Sequence, residues 1–272
     1  MFIKEVSILA SLSHPNLVTY YFAMKGSANR SIESFVTKDK KEYLYIGMEL
    51  MQKNLSNMLE DEKEVSYIFL IDIMYQIAKE MCYLHDMHIA HRDLKSENIL
   101  VNIVESKIMN KIVRHAIVKV IDFGMSKIEV RRNPKATENN YIYGSLRYMA
   151  LKALRNKFQS IEMCHSEADV YSFAMICSKI LSKEDPFYDV HGMKGILERI
   201  EKGERPNLPS NCNDLIKIIQ EYWRLNPLYP SKFANICERL ESLKKKHLVG
   251  VDLENAPKFE ATKNNCHQNV KF

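Results

Sequence analysis

The octapeptide His91-Arg92-Asp93-Leu94-Lys95-Ser96-Glu97-Asn98 constrains this chain more than any other stretch, because it places an acid, a cation and an amide within eight residues. It lies between a long apolar helical pattern and a short apolar run, which indicates a polar loop between two buried elements. Asp93 can accept a proton from an attacking hydroxyl, and Lys95 can neutralise a transferring phosphoryl group. Asn98 can offer its carbonyl oxygen to Mg²⁺. An octapeptide alone can match by chance, so this chemistry needs a second motif.

The second motif is Asp122-Phe123-Gly124, which follows the β-branched run 117–121. Phosphoryl transfer needs a second metal-binding carboxylate at the end of a strand, and Asp122 is placed to supply it. Together and in this order, the stretches 91–98 and 122–124 resemble the catalytic loop and the metal-binding loop of the eukaryotic protein kinases. The resemblance implies an α+β fold of two lobes, with ATP and Mg²⁺ as cofactors and protein hydroxyls as substrates.

Composition argues against several other classes of protein. The 272 residues are 46% hydrophobic and 27% charged, which is an ordinary globular balance. The six cysteines form no C-x-x-C pair and no ligand cluster with the nine histidines, so neither a disulfide framework nor a zinc site is predicted. We expect reduced cysteines in a cytoplasmic protein.

Membrane and nucleic-acid partners are not predicted either. The richest apolar stretch, 67–78, is interrupted by two polar residues and is too short to span a bilayer. Residues 1–12 lack the layout of a secretory signal. The net charge of +5 is mild, and its clusters at 131–132 and 244–247 carry no interleaved aromatic residues of the kind that stack on bases. We interpret these clusters as solvated faces.

The first helix predicted along the chain resembles the regulatory helix of a kinase small lobe. Residues 2–12 place apolar side chains on one helical face, and Pro15 ends the pattern. By the resemblance, Glu5 is the acid that pairs with a lysine on the preceding strand. Taken as an isolated residue, Glu5 is equally well explained as a first-turn acid that the helix dipole favours.

Two strands are predicted next. Residues 17–24 and 43–50 are rich in β-branched and aromatic residues, and they match the last two strands of a kinase small lobe. The polar segment 25–42 between them indicates a long surface loop.

Four positions are implied by the resemblance to contact the adenine ring. Met48 falls at the gatekeeper position, and the backbone of Glu49 and Met51 meets the adenine edge. Leu100 packs beneath the ring. These assignments depend on family position alone, since a methionine in a strand is otherwise usually a core residue.

The large lobe is predicted to be mainly helical. A helix of about five turns over 68–85 leads into the catalytic loop, and a strand at 99–101 follows that loop. Residues 102–114 exceed the tight hairpin that the family uses, and we interpret them as a surface loop. The apolar helix that opens at 166–169 resembles the core helix of the large lobe, in which Asp169 holds the catalytic-loop backbone. A local capping role explains Asp169 equally well.

Residues 122–152 are mostly polar and resemble an activation segment. The hydroxyl residues that could be phosphorylated in it are Thr137, Tyr141 and Tyr143. Arg92 is the cation that in related kinases clamps a phosphate on this segment. Ser145 matches the small hydroxyl residue that bonds the base and the catalytic lysine in Ser/Thr kinases. Together with Lys95, it favours serine and threonine substrates over tyrosine.

The end of this segment departs from the family pattern. Kinases read Ala-Pro-Glu where this chain has Ala150-Leu151-Lys152, so a cation replaces the anchoring carboxylate. The arginine that usually pairs with that carboxylate has no counterpart in the matching stretch 226–231. Losing one partner of a buried pair costs roughly 3–5 kcal/mol, whereas losing both can be almost neutral. We therefore expect a folded domain in which residues 126–152 are mobile and are cut first by proteases.

The Gly-rich G-x-G-x-x-G loop and the strand lysine of a kinase small lobe have no counterpart in these 272 residues. Lys4 adjoins Glu5 at about 100° around the helix, so it cannot replace a lysine that reaches across from a facing strand. The chain thus resembles a kinase domain without its first three strands. Its expected parts are a small-lobe remnant at 1–52, a mainly helical large lobe at 53–246 and a flexible tail at 247–272.

The residues leave three interpretations. The first is an ATP-dependent serine/threonine kinase of the tyrosine-kinase-like group, with impaired activity. Its sequence motifs are similar to those of the plant members of that group. In this interpretation Asp93 is the base, Lys95 contacts the γ-phosphate, and Asn98 and Asp122 hold Mg²⁺. The second is a pseudokinase-like module that binds other proteins through its helical lobe. The third is that the natural protein extends upstream of Met1. The protein substrate and the oligomeric state stay open.

Overall fold

The computed structural model describes residues 2–27, 42–62, 64–108, 111–128, 145–151, 154, 165–210, 212–224, 232–249 and 258–259. The helices are α1 (Phe2–Ser11), α2 (Leu55–Asp61), α3 (Tyr67–Asp86), α4 (His165–Ser182), α5 (Gly192–Glu201), α6 (Asn213–Tyr222) and α7 (Phe233–Val249). The strands are β1 (Tyr20–Ser27), β2 (Glu42–Met48), β3 (Lys53–Asn54), β4 (Val65–Ser66), β5 (Ile89–Ala90), β6 (Ile99–Ile108), β7 (Lys111–Val120), β8 (Lys127–Ile128) and β9 (Lys258–Phe259). This mixture of helices and small antiparallel sheets confirms the α+β class and agrees with a two-lobe fold.

The core of the helical part is built on α3 and α4. Both helices bury apolar side chains around most of their circumference, and Ile77 and Ala174 are among those with no exposed surface. Helix α3 begins after Ser66, whose hydroxyl accepts a hydrogen bond from the Phe69 N–H at 3.3 Å and so caps the first turn. Among the residues that the structure describes, no helix is long and apolar enough to cross a membrane.

Strands β1 and β2 form an antiparallel pair, in register from Tyr20 opposite Met48 to Ser27 opposite Glu42. Both strands were predicted from their β-branched and aromatic residues. Their apolar side chains are unusually exposed, and Phe22 and Leu44 each keep 52% of their surface in solvent. The part of the small lobe that the structure describes therefore leaves apolar sheet surface uncovered.

The interpretation of residues 102–114 as a loop is wrong. Strands β6 and β7 pair along their whole length, from Ile99 opposite Val120 to Ile108 opposite Lys111. The outer part of this hairpin carries charged residues that pair across the strands, with Arg114 Nε 3.3 Å from Glu105 Oε1. Such cross-strand pairs stabilise a hairpin although their polar sequence looks like a loop.

The structure describes residues 232–249 and 258–259 of the C-terminal stretch. Helix α7 continues to Val249, and the short strand β9 pairs with β4 through Val65 and Phe259. The boundaries at 52 and 246 and the flexibility of 247–272 stay predictions.

Side-chain hydrogen bonds join the segment after α1 to the helical part. The Asn16 amide donates to Gln76 Oε1 at 3.0 Å and to the Val118 carbonyl at 2.9 Å. Gln76 in turn accepts from the Val118 N–H at 3.0 Å and donates to the Ala116 carbonyl at 2.9 Å. These bonds tie the exit of α1, the middle of α3 and strand β7 into one unit.

A buried acid lies beside the same segment. Glu80 on α3 has no exposed surface, and its Oε2 lies 2.5 Å from Nδ1 of His14 without the angular geometry of a hydrogen bond. Burial raises the pKa of Glu80 to about 8, although the charge of Lys119 opposes this shift. Burial also lowers the pKa of His14, with smaller contributions from Lys79 and Lys119. Both groups are therefore held neutral near neutral pH.

We predict that Glu80→Gln removes a pH dependence of stability. The pKa of Glu80 is about 8 in the folded chain and near 4.5 when exposed, so the folded state holds a proton that the unfolded state loses. The contribution of Glu80 to the stability of the wild type should fall as pH rises between these two pKa values, by roughly 1 kcal/mol per pH unit. The stability of the Glu80→Gln variant relative to wild type should increase from about pH 5 to pH 8. Above pH 8 the difference in stability should stay constant.

Urea unfolding at a series of pH values measures this difference. The exposed glutamate Glu60 on α2 offers a matched control, since Glu60→Gln should leave the slope unchanged. A wild-type chain whose stability rises between pH 5 and pH 8 relative to the Glu80→Gln variant would contradict the prediction.

Candidate active site

Asp93 lies at the centre of a compact polar cluster in the loop between β5 and β6. Its side chain is 8% exposed, and Lys95 Nζ lies 3.0 Å from its Oδ2. The Asn98 amide donates to the Asp93 backbone carbonyl at 2.8 Å and to Oδ2 at 3.3 Å. The structure thus brings together the acid, cation and amide that the sequence placed within eight residues.

Ser145 completes this cluster from a distant part of the chain. Its backbone N–H donates to Asp93 Oδ1 at 3.1 Å. The resemblance implied a bond from the Ser145 hydroxyl, whereas the contact to the acid that the structure shows comes from the main chain. One carboxylate oxygen of Asp93 therefore faces the segment at 145–151, and the other faces Lys95.

A buried carboxylate on α4 holds the backbone of this loop. Asp169 has no exposed surface, and it accepts hydrogen bonds from the N–H groups of His91 at 2.8 Å and Arg92 at 2.9 Å. The role that the resemblance implied for Asp169 is confirmed. His85 at the end of α3 adds a third contact, with Nε2 2.9 Å from Asp169 Oδ2. The sequence did not predict this role of His85, which was interpreted only as the end of the apolar helical pattern.

Arg92 adopts a left-handed backbone conformation, with φ of 71°. This conformation is strained for a residue with a side chain. The hydrogen bonds from the N–H groups of His91 and Arg92 to Asp169 hold the backbone in it. Its part in clamping a phosphate stays a prediction, because the candidate phosphorylation residues Thr137, Tyr141 and Tyr143 lie outside the described residues.

The two candidate metal ligands lie side by side. The Asn98 carbonyl oxygen of the main chain accepts from the Ile121 N–H at 2.9 Å, which brings Asp122 next to the catalytic loop. The Asn98 side-chain nitrogen is already engaged with Asp93, so its Oδ1 is the atom that can face an ion. Asp122 is partly exposed, with φ of 69°, and its Oδ1 accepts from the Gly124 N–H at 3.3 Å. An amide oxygen and a carboxylate are the hard ligands that Mg²⁺ prefers.

Glu5 on α1 is influenced by the charge of Asp122. Burial raises the pKa of Glu5, and the negative charge of Asp122 raises it further. Within the described residues, no lysine or arginine side chain forms an ion pair with Glu5. The lysine pairing that the resemblance implied therefore has no partner among these residues.

The four candidate adenine contacts lie at the end of β2, in the segment after it and on β6. Met48 is 38% exposed, and Leu100 is half-buried at the start of β6. The Glu49 side chain turns away from the strand end, with Oε1 2.6 Å from both Lys119 Nζ and the Thr19 N–H. Burial opposes ionisation of Glu49, but these bonds outweigh it and lower its pKa. The Glu49 side chain and its N–H, which donates to the Thr19 carbonyl at 2.9 Å, are thus engaged, and the four assignments stay predictions.

The described end of the candidate activation segment has an anchor that sequence reasoning did not foresee. Arg147 donates from Nη1 to the carbonyls of Pro186, at 3.0 Å, and Phe187, and from Nη2 to the Val190 carbonyl at 3.2 Å. Tyr148 is buried, and its hydroxyl lies 3.0 Å from Ser96 Oγ in the catalytic loop.

Helix α4 also holds this stretch. The Ser172 hydroxyl donates to the Tyr148 carbonyl at 2.8 Å. These contacts hold Arg147 and Tyr148 against the helical part, and the mobility expected of 126–152 stays a prediction. Residues 129–144 and Lys152 lie outside the described residues.

Comparisons with known proteins agree with this geometry. Residues 1–239 match the family model described as the protein kinase domain. A light-sensor protein kinase of Ceratodon purpureus is 32% identical over 255 residues, which cover 89% of this chain and 19% of that protein. The serine/threonine-protein kinase STY17 of Arabidopsis thaliana is 27% identical over 244 residues, covering 89% of this chain and 37% of that protein. The chain thus spans a minor part of the length of each relative.

We predict that Arg147→Ala loosens the stretch 145–151. Each charge-assisted hydrogen bond that the variant loses contributes roughly 1.5–3 kcal/mol, so local opening should become about 10-fold or more frequent. Amide hydrogen exchange at Tyr148 and Met149, whose N–H groups bond within this turn, measures the change.

The exposed Arg224, at the end of α6, offers a matched control, because Arg224→Ala should leave these two exchange rates unchanged. Equal protection of Tyr148 and Met149 in the wild type and in Arg147→Ala would show that Tyr148 and Ser172 hold the segment without Arg147.

Proposed function

The chain belongs to the protein kinase family, and we propose that it is a cytoplasmic serine/threonine kinase domain that transfers the γ-phosphoryl group of ATP to protein hydroxyls. The observation that carries the proposal is the cluster around Asp93, with Lys95 at 3.0 Å and the Ser145 N–H at 3.1 Å. The cluster places a proton acceptor beside a cation and orients it through both carboxylate oxygens. Such an arrangement suits proton removal from a hydroxyl that attacks a charged phosphoryl group.

Each residue of the cluster has a separate part in the proposed reaction. Asp93 accepts the proton of the serine or threonine hydroxyl as its oxygen bonds to the γ-phosphorus. Lys95 balances the negative charge on the phosphoryl oxygens. A magnesium ion held by Asn98 and Asp122 supplies further charge neutralisation at the phosphates when it is bound.

Serine and threonine are the favoured acceptors for two reasons. Lys95 lies two residues after the base, with Nζ 3.0 Å from Asp93 Oδ2, and by the resemblance a lysine at this position is typical of Ser/Thr kinases. Ser145 matches the small hydroxyl residue of Ser/Thr kinases in sequence, and its backbone N–H contacts the base at 3.1 Å. The name of the Arabidopsis thaliana relative also specifies serine/threonine kinase activity for that protein.

A second candidate function is a pseudokinase-like module that binds proteins through its helical lobe. One observation favours it, namely that Glu5 forms no ion pair with a lysine or arginine within the described residues, while the charge of Asp122 raises its pKa. In a catalytic small lobe this acid would order a lysine at the phosphates. The 272 residues also contain no G-x-G-x-x-G loop. We therefore propose that the chain as printed retains the chemistry of the large lobe but transfers phosphate slowly.

We predict that any phosphate transfer depends on Asp93. Asp93→Asn keeps an oxygen for the Ser145 N–H but removes the proton acceptor, so transfer should fall by on the order of 10²–10⁴-fold. Transfer of radiolabel from ATP to a serine-containing protein substrate measures it. Asp61→Asn, at the exposed end of α2, should keep the wild-type rate. Undiminished labelling by Asp93→Asn would place the base elsewhere or reveal a contaminating kinase.

We also predict that the 272-residue chain binds ATP·Mg²⁺ weakly and turns over slowly. Two or three missing phosphate contacts, each worth roughly 1.5–3 kcal/mol, lower the rate by on the order of 10³-fold or more. Thermal shift with ATP·Mg²⁺ and a peptide phosphorylation assay separate binding from turnover. The small thermal shift should disappear in Asp122→Asn.

A rate in the ordinary kinase range of about 1–100 s⁻¹ would contradict the slow-turnover prediction. Adding an upstream segment with a Gly-rich loop and a strand lysine should raise the rate. If that longer chain stays inactive while it binds ATP, the fault lies in the segment around Leu151 and Lys152 rather than in the phosphate contacts.

A further inference from the structure

Helices α3 and α7 pack against each other in antiparallel directions, and their side-chain contacts define which residues face each other. At one end the rings of His85 and Phe233 meet edge to face, with centroids 5.0 Å apart. Toward the other end, Lys244 Nζ lies 5.6 Å from the ring centroid of Tyr75. Side chains between these two contacts must therefore pair across the helix interface.

Cys82 and Cys237 occupy that intermediate position. Cys82 lies one turn before His85 on α3, and Cys237 lies one turn after Phe233 on α7, so each cysteine shares a face with its neighbour. This register brings the two thiols close enough for each to affect the pKa of the other, and the Cys82 Sγ also lies 3.9 Å from Asp86 Oδ2. Both cysteines are free thiols with partly exposed side chains. The helix packing thus brings the two thiols near each other at a position that solvent can reach.

We propose that Cys82 and Cys237 are a reversible oxidation site, at which hydrogen peroxide converts the two thiols into a disulfide that joins α3 to α7. The sulfur of one cysteine attacks a peroxide oxygen and becomes a sulfenic acid, and the second thiol then displaces water from it. Two thiols lose two electrons and two protons in total, and one peroxide is reduced to two molecules of water. A dithiol reductant reverses the reaction.

The surrounding charges indicate which cysteine reacts first. Burial raises the pKa of Cys82, and the neighbouring Asp86 raises it further, whereas the charge of Lys79 lowers it. Burial raises the pKa of Cys237 to about 12, with smaller effects of Cys82, Lys79 and Glu238. The thiolate is the reactive form, so Cys82 is the attacking sulfur and Cys237 the resolving thiol. These raised pKa values make the site slow to oxidise, with a rate that increases toward alkaline pH.

A disulfide at this position would restrict the unfolded chain strongly. It closes a loop that runs from α3 to α7 and contains more than half of the sequence. Cross-links across long loops stabilise mainly by reducing the freedom of the unfolded state. The oxidised chain should therefore melt roughly 5–10 °C above the reduced chain.

Peptide mapping of the full chain tests the proposal without any activity assay. The chain is incubated with hydrogen peroxide, free thiols are alkylated, and the protein is digested with trypsin. Cys82 is then the only cysteine of the peptide 80–92, and Cys237 is the only cysteine of the peptide 233–239. We expect one linked species, whose mass is the sum of these two peptides less two hydrogen atoms. A dithiol reductant should abolish it.

Conservative variants make the outcome decisive. Cys82→Ser and Cys237→Ser should each remove the linked peptide and the rise in melting temperature, while both variants stay folded because serine has nearly the same size. Linkage of either cysteine to a different cysteine would overturn the proposal. Oxidation of Cys82 to sulfinic acid without any cross-link would overturn it as well, since the contact between the thiols would then be unproductive. A melting temperature that rises equally in the serine variants would show that the stabilisation has another origin.

Discussion

The hydrogen bonds of the buried Asp169 carboxylate to the catalytic-loop backbone are the interaction on which the rest of the site depends. Two N–H groups, of His91 and Arg92, point at one carboxylate that has no exposed surface. Breaking a buried charged contact by removing one partner typically costs about 3–5 kcal/mol. The left-handed turn at Arg92 survives because this acceptor satisfies both donors, and the turn in turn aims Asp93 at the site.

The parts of the small lobe that the structure describes reach this site through a second set of polar contacts. Gln76 on α3 joins Asn16 to strand β7, and β7 leads directly into Asp122. Lys119 on the same strand holds the Glu49 carboxylate at 2.6 Å. The candidate metal ligand and the candidate adenine edge are therefore positioned by one strand, which explains how a lobe with an uncovered sheet surface can still be held against the large lobe.

The segment after the metal-binding loop shows how a lost ion pair can be replaced. The family's anchoring carboxylate has become Lys152, and the matching stretch 226–231 has no arginine to pair with it. Arg147 instead donates to main-chain carbonyls between α4 and α5, and Tyr148 reaches the catalytic loop. Carbonyl acceptors do not depend on any particular side chain, so the contacts of Arg147 do not require the missing pair.

The sequence by itself determined the order of elements, the α+β class and the identity of the candidate catalytic and metal-binding residues. The α+β class follows from the resemblance that the motifs at 91–98 and 122–124 carry. The individual helices and strands follow from local periodicity, and the candidate residues follow from chemical groups at short spacing together with that resemblance. It did not reveal the full β6–β7 hairpin, because the charged cross-strand partners Glu105 and Arg114 resemble loop residues. Only the tertiary structure decided which distant partners meet, such as Asp169 with His91, Arg147 with the carbonyls at 186–190, and His85 with Phe233. The physical reason is that contacts between distant segments depend on how whole elements pack, which no local pattern encodes.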